Sequence, residues 1–347
     1  MSTSKNNKLL LSTRGVIRFE IVLLSMITML FLALSPPSAI ASQDKGKAKV
    51  LVVMSYDEKN DSEIAVAKGI EEVLTEQELR YFYLDAKNHL EQAADNATKG
   101  YALYQSFQPD VVIAADDTAQ EAFVLPFLQN KVKTPVVFCG VNDSAEQYGY
   151  PNAQVTGIIE KKHYLQSINF ARLIDPKIKK MAVVYRDNPP NQINLAQIKR
   201  EADTYGVTMV DYVAVESSKE LTTALTKLRE TADALLVLNL GGITDDNGAK
   251  MEVNKAMTLA AEIWPKPSIG ASKNEIEAGI LCGVSKINQE QGQVAARIAI
   301  EILQGKTPAD IPVTENRNGQ RVINAATAKR LGLKLKPMVL IGTELVQ

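Results

Sequence analysis

Two adjacent carboxylates close an apolar run in the stretch VVIAADDTAQEAF, Val111 to Phe123. Asp116 and Asp117 at such a point have four readings: an acid–base pair, a metal site, a grip on a ligand, or the start of a helix. A glycosidase-type pair needs carboxyl groups about 5 Å or more apart across a substrate, in distinct environments. Neighbours at a strand end point in different directions, which argues against catalysis. Thr118-Ala119-Gln120-Glu121 has the S/T-x-x-E form of a capping box, so Thr118 is expected as N-cap and Glu121 at N3. Acids near a helix N-terminus are favoured in general, yet the cap leaves the two aspartates unexplained.

Other polar residues follow apolar runs in the same way. Ser55 and Tyr56 come after the first run, where a hydroxyl and a phenol could bond or stack on a small ligand; the alternative is a solvated loop with Asn60 or Ser62 capping the next helix. Asn142 offers an amide in Gly140-Val141-Asn142-Asp143. Arg186, followed by Asp187 and Asn188, could clamp a carboxylate in bidentate fashion, or pair with Asp187 on the surface. Asn239 precedes a Gly241-Gly242 turn that lets backbone approach a ligand closely, or serves plain loop chemistry. Ser272 and Lys273 end a further run. The residues expected to bind ligand are therefore Ser55, Tyr56, Asp116, Asp117, Thr118, Asn142, Arg186, Asn188, Asn239, Gly241 and Ser272.

The inventory disfavours most enzymes. His89 and His163 are the only histidines and lie in separate regions, so a His-rich metal site or a Ser-His-Asp triad has little support. Walker A, G-x-G-x-x-G and G-x-S-x-G patterns are lacking. In TDDNGAKMEVNK the glycine falls too early for an EF-hand. No catalytic residue, metal or cofactor is expected.

Strand-length apolar runs position these residues: Lys49–Met54, Val111–Ala115, Pro135–Cys139, Met181–Tyr185, Val207–Val213, Ala234–Leu238, Ser268–Gly270 and Ile280–Val284. Helix-patterned segments alternate with them, including Ser62–Glu76, Ala93–Phe107, Tyr164–Ile174, Asn191–Tyr205 and Lys219–Thr231. Alternation with continuous apolar strands implies α/β lobes built on parallel sheets, with helices on both faces. Ligands of such sheets meet the loops beyond the carboxyl ends of the strands, where the candidates stand. Cys139 and Cys282 sit in apolar strand-like surroundings and are expected as two buried free thiols.

The segments VLVVMSYDEKNDSEIAVAKGIEEVL, FCGVNDS, GVSKINQEQGQVAARIAIEILQGKTPADIPV and VINAATAKRLGLKLKP resemble the ABC-transporter substrate-binding family that includes tryptophan and tyrosine binders. The resemblance covers the mature chain in order, and the tail is its most specific part. It implies a type I periplasmic-binding-protein fold: two Rossmann-like lobes, a hinge of three crossovers, ligand in the cleft, and closure read by a membrane partner.

At the N-terminus, Lys5, Lys8, Arg14 and Arg18 precede an apolar core from Ile21 to Leu34 and the sequence Ala39-Ile40-Ala41. This is the pattern of a secretory signal peptide cleaved after Ala41. Loss of four basic residues and one acidic residue would move the formal charge from −1 to about −4. No basic stripe suggests nucleic acid. The expected domains are a signal peptide, 1–41; a first lobe, 42–156 and 286–313; and a second lobe, 157–285 and 314–347. Crossings are expected near Thr156-Gly157, Ser285-Lys286 and Val313-Thr314. The expected function is a monomeric periplasmic solute-binding protein of an ABC importer. Its ligand would be a small polar molecule, an aromatic amino acid being favoured. The alternatives are a ligand sensor docking on a membrane sensor kinase, and a cleft enzyme.

Overall fold

The computed structural model of the protein describes residues 46–86, 92–142 and 144–347. The expected signal peptide, His89 and Asp143 lie outside the described residues. The first sheet is parallel throughout. It contains β1 (Lys49–Met54), β2 (Glu78–Tyr83), β3 (Val111–Ala115), β4 (Val136–Val141), β5 (Val155–Ile159) and, from late in the chain, β11 (Thr314–Glu315), in the order β11-β5-β4-β3-β1-β2. The second contains β6 (Lys180–Tyr185), β7 (Thr208–Ala214), β8 (Ala234–Val237), β9 (Ser268–Gly270), β10 (Cys282–Lys286), β12 (Gly319–Asn324) and β13 (Thr343–Val346). Its order is β13-β12-β10-β9-β8-β6-β7, and only the β10–β12 pair is antiparallel.

Helices cover both faces of each sheet, which is why β3 and β4 are buried along their whole length and read as unbroken apolar runs. In the first lobe, α1 (Asp61–Val73) lies on one face and α2 (Ala93–Phe107) on the other; α3 (Asp116–Ala119) leads into a π-helical stretch, Gln120–Leu128. The second lobe carries α4 (Tyr164–Ile174) and α5 (Pro189–Glu201) on one face, and α6 (Ser218–Leu228) and α7 (Val253–Ile263) on the other. Two further helices matter below: α8 (Lys273–Glu277) and α9 (Asn288–Leu303). β2 lacks an unbroken apolar run because it is an edge strand whose residues are mostly half-buried. Cys139 and Cys282 are buried free thiols, one in each sheet, as the sequence implies.

α9 returns to the first lobe and packs on α1 through two glycines. A Cβ on Gly69 would fall 2.1 Å from the Gln289 carbonyl oxygen, and one on Gly292 would fall 2.0 Å from that of Val66. Both obstacles are backbone, so the helices would have to separate. Gly292→Ala is expected to cost about 1–3 kcal/mol through this overpacking, read as a lower denaturation midpoint. An unchanged midpoint would show that the crossing tolerates a methyl group.

The chain crosses between the sheets three times, slightly later than the sequence suggests at each point. β5 runs to Ile159, so the first crossing is Glu160–His163 rather than Thr156-Gly157. Gly157 lies inside β5, where a Cβ would meet the Phe138 carbonyl oxygen at 2.1 Å; close strand approach explains this glycine. The second crossing is at Ile287, and the third is Asn316–Asn318, beyond β11.

These crossings are tied together. Glu160 pairs with Lys286, and Lys161 with Glu315. The Lys161 amide donates to Asn316 Oδ1 at 2.7 Å, and Asn316 Nδ2 donates to the Lys161 carbonyl at 3.1 Å. The Glu290 carboxylate accepts from the amides of Arg317 and Asn318. His163 Nε2 lies 2.8 Å from the Asn318 carbonyl oxygen.

Candidate ligand-binding site

The opening aspartates stand where β3 turns into α3. Asp116 has φ +66°, a left-handed backbone that Asp and Asn tolerate better than most residues. The helix therefore starts one residue after Ala115, and Thr118 falls inside its first turn. The expected Thr118–Glu121 capping box does not form, because the N-cap is Ala115 and makes no side-chain cap bond. A neighbouring strand supplies the cap instead. Ser55, at the end of β1, donates through its hydroxyl to the Ala115 carbonyl at 2.6 Å and accepts from the Ala119 amide at 2.9 Å. Ser55 is fully buried, so it supports the site rather than facing a ligand. Ser55→Ala would leave the Ala119 amide buried without a partner and is expected to cost about 1–3 kcal/mol. Thermal denaturation checks this, and an unaltered melting temperature would contradict it.

Asp117 and Asp116 have separate surroundings. Asp117 Oδ2 accepts from the backbone and side-chain nitrogens of Asn142, each at 3.1 Å, and Oδ1 accepts from the Tyr148 hydroxyl at 2.9 Å. Asp117 thus fastens the loop after β4 onto the end of β3. The Asp116 carboxyl group makes no hydrogen bond among the described residues and is partly open to solvent. It lies against Gly140, where a Cβ would come within 2.6 Å of Oδ1; Gly140 itself has φ +72°. Only glycine suits that position.

The charge around Asp116 is unusual. Glu63, on α1, is 1% exposed; one of its oxygens accepts from the Tyr56 amide at 2.8 Å and the other is buried without a hydrogen-bond partner among the described residues. Burial pushes the Glu63 carboxyl up to about 7. Burial, with the negative neighbours Glu63 and Glu160, holds the Asp116 carboxyl well above the usual range, against the pull of Lys286. The Tyr56 phenol is also raised, by burial and then by Asp116.

A cavity of about 430 Å³ lies between the two lobes. Tyr56, Asp117 and Asn142 line it from the first lobe, and Asn191, Asn194, Asn239, Ser272 and Glu275 from the second. Lys162 and Tyr164 border it at the first crossing. Among the described residues, no group of three His, Cys, Asp or Glu is placed to hold a metal ion. The cleft thus offers an acid and carboxamide on each wall, the Lys162 ammonium at the crossing, and aromatic rings. That set suits a small polar molecule, gripped by hydrogen bonds and charge.

The family model for ABC transporter substrate binding proteins matches residues 47–346. The chain belongs to this family. A tyrosine-binding protein of Clostridioides difficile (strain R20291) is 24% identical over 263 residues, 73% of this chain and 70% of that one. Among solved structures, the ligand-free, open form of a substrate-binding protein with adhesive properties from Clostridium difficile superposes with a TM-score of 0.68. It is 19% identical, with 86% of this chain and 99% of that one covered. An ABC domain from Streptococcus pneumonia in complex with L-Trp gives a TM-score of 0.56 at 19% identity, covering 87% of this chain and 100% of that one. These likenesses show the fold: two lobes of the type I periplasmic-binding-protein kind. Family membership implies a small-molecule ligand and a membrane transporter as partner.

Of the expected positions in this substrate-binding protein, Tyr56, Asp117, Asn142, Asn239 and Ser272 line the cavity, whereas Asp116 and Thr118 stand at the start of α3 outside that lining. Several other expected contacts are supports. Arg186 has its Nε 3.4 Å from Glu216 and donates through Nη1 to the Gly241 carbonyl at 3.1 Å, so it is committed within its own lobe. Its partner is Glu216, not Asp187. Asn188 caps α5 by accepting from the Asn191 amide at 2.9 Å. Gly241 is required for packing, since a Cβ would lie 2.4 Å from Val253 Cγ2. Sequence reasoning missed Lys162, Tyr164, Asn191, Asn194 and Glu275. Two signals were present: Asn191 and Asn194 are spaced i, i+3 in the first turns of a helix, and Ser272-Lys273-Asn274-Glu275 is itself a capping box, which does form.

Proposed function

We propose that this protein is the periplasmic solute-binding component of an ABC importer, and that it takes a zwitterionic amino acid, aromatic in preference, between its lobes. The observation that carries this reading is Asp116: a partly accessible carboxyl group without a hydrogen bond among the described residues, in left-handed backbone at the end of β3, beside the cavity-lining Asp117 and acting electrostatically on the cavity-lining Tyr56. Strained backbone persists where surrounding structure over-determines it, commonly at ligand clamps. An ammonium group is the natural partner for such a carboxylate, and Tyr56 stands ready to stack on a flat side chain. Two similar proteins, a tyrosine-binding protein and an ABC domain in complex with L-Trp, support the same ligand class.

Binding of this kind works by closure of two lobes about their crossovers. The second-lobe carboxamides of Asn194 and Asn239 then complete the hydrogen bonds that the first lobe begins, with Asn191 buried behind them and donating to the Arg186 and Asn239 carbonyls. Delivery to a permease follows from the closed shape. The N-terminal pattern of residues 1–41 supports export to the periplasm; among the described residues, no helix is long and apolar enough to cross a membrane. The sequence lacks a recognisable nucleophile–base set, so we read the cleft as a binding site rather than a catalytic one. Calorimetry of the mature protein against the twenty amino acids tests the proposal. Heat with tyrosine, tryptophan or phenylalanine is the expected result. Uniformly absent heat, with binding to a sugar or a nucleobase instead, would overturn it.

A further inference from the structure

We infer that Lys162 is the receptor for the ligand's carboxylate, and that it makes the cleft selective for free amino acids over their amides and amines. This inference rests on the amino-acid reading above. Lys162 stands on the first crossing, between β5 and α4, and is the only cation among the described residues that line the interlobe cavity. Its neighbours in sequence are already committed: Glu160 to Lys286, and Lys161 to Glu315. The Lys162 ammonium makes no ion pair or hydrogen bond among the described residues. Its backbone is held, because Gln197 Nε2 on α5 donates to the Lys162 carbonyl at 2.9 Å. The main chain is therefore fixed while the charged end stays available.

The surroundings favour an incoming anion. Burial and the like charge of Lys286 lower the ammonium's proton affinity, while Glu275 and Glu160 partly restore it. Glu275 is the acid facing it from the second lobe. One Glu275 oxygen accepts from the amides of Ala271 and Ser272 at 2.8 and 3.1 Å, and the residue forms no ion pair with Lys162. A half-buried ammonium with only distant acids gains most from a carboxylate at hydrogen-bond distance. Other cations are excluded by their own partners. Arg186 is held by Glu216 and Gly241, Lys286 by Glu160, and Lys273 by Glu344. With Asp116 on the first lobe taking the ammonium, the two ends of a zwitterion find opposite charges on different elements. Because Lys162 lies in a crossing, its ion pair also forms where the lobes hinge.

The test compares an aromatic amino acid with its carboxamide and its decarboxylated amine, by calorimetry, on the mature wild-type protein and on Lys162→Met. The wild type should prefer the free acid about 100-fold, the scale expected for one buried charge pair. Lys162→Met should bind acid, amide and amine alike, near the wild-type level for the amide, and Lys162→Arg should keep part of the preference. Wild-type protein that binds amide as tightly as acid overturns the inference without recourse to any variant. Retained discrimination in Lys162→Met also overturns it, while leaving the amino-acid reading intact. If the wild type binds no amino acid or derivative, the amino-acid reading falls and this assignment falls with it.

Discussion

Asp116→Asn is expected to weaken amino-acid binding about 100-fold or more and to flatten its dependence on pH. Removing one partner of a buried charge pair costs roughly 2–5 kcal/mol. The substitution is a mild one for the fold, since Asn tolerates φ +66° as well as Asp does. In the empty cleft, burial together with Glu63 and Glu160 keeps the Asp116 carboxyl well above its ordinary range, so it holds a proton that most carboxyl groups would have lost. An ammonium ligand stabilises the ionised form, so binding must expel that proton. Affinity therefore rises with pH while the free site titrates, and levels off once the site is ionised without ligand. Glu63 on α1, Glu160 and Lys286 at the crossings, and Tyr56 and Asp117 nearby all shape this titration. It belongs to the Asp116–Glu63 pair rather than to one group. Calorimetry in two buffers of different ionisation heat, at a series of pH values, reads the proton directly. An Asn variant that releases as many protons as wild type would rule out Asp116 as the source.

The second large effect concerns stability. Glu63 has an ordinary value of 4.5 and is pushed up to about 7 in the folded protein, chiefly by burial. The folded state thus holds this proton more tightly than the unfolded chain does. The stability from that preference is complete below pH 4.5 and is lost as pH rises towards about 7; above that, the fold carries a buried charge it would rather not hold. At about 1.4 kcal/mol per pH unit, the change across this window is about 3 kcal/mol. Glu63→Gln removes this group's part of the paired titration and keeps an oxygen to accept from the Tyr56 amide. Its other terminus is an amide NH2 at a place without a partner, which carries its own cost. The expected result is therefore a changed slope: relative to wild type, the variant gains about 3 kcal/mol between pH 4.5 and 8. Denaturant titrations at a series of pH values measure it. Parallel curves for the two proteins would show that Glu63 is not held above its usual range.

Much of this architecture was legible because its signals are local. Buried parallel strands must be apolar on both faces, so β1, β3, β4, β6 and β8 announce themselves as unbroken runs. Candidate ligand positions followed from the rule that loops beyond strand ends meet the ligand, and five of those positions do line the cavity. β2 escaped because an edge strand lacks that burial, and the first crossing falls later than Thr156-Gly157 because Gly157 serves close strand packing inside β5.

Two capping motifs show where local information ends. Ser272-Lys273-Asn274-Glu275 caps its own helix, since Ser272 leaves β9 in extended backbone, with φ −137° and ψ 152°. Thr118-Ala119-Gln120-Glu121 has the same form and does not, because the left-handed turn at Asp116 starts the helix earlier and Ser55 caps it from another strand. Strand alternation and the helix periods lie in the sequence itself, since they depend on residues a few positions apart. Which charges are free and which are paired depends on residues brought together from far along the chain, such as Glu160 with Lys286 and Arg186 with Glu216. Only the tertiary structure could therefore decide that Arg186 is a support, and that the side-chain charges of Asp116 and Lys162 have no ion pair or hydrogen bond among the described residues.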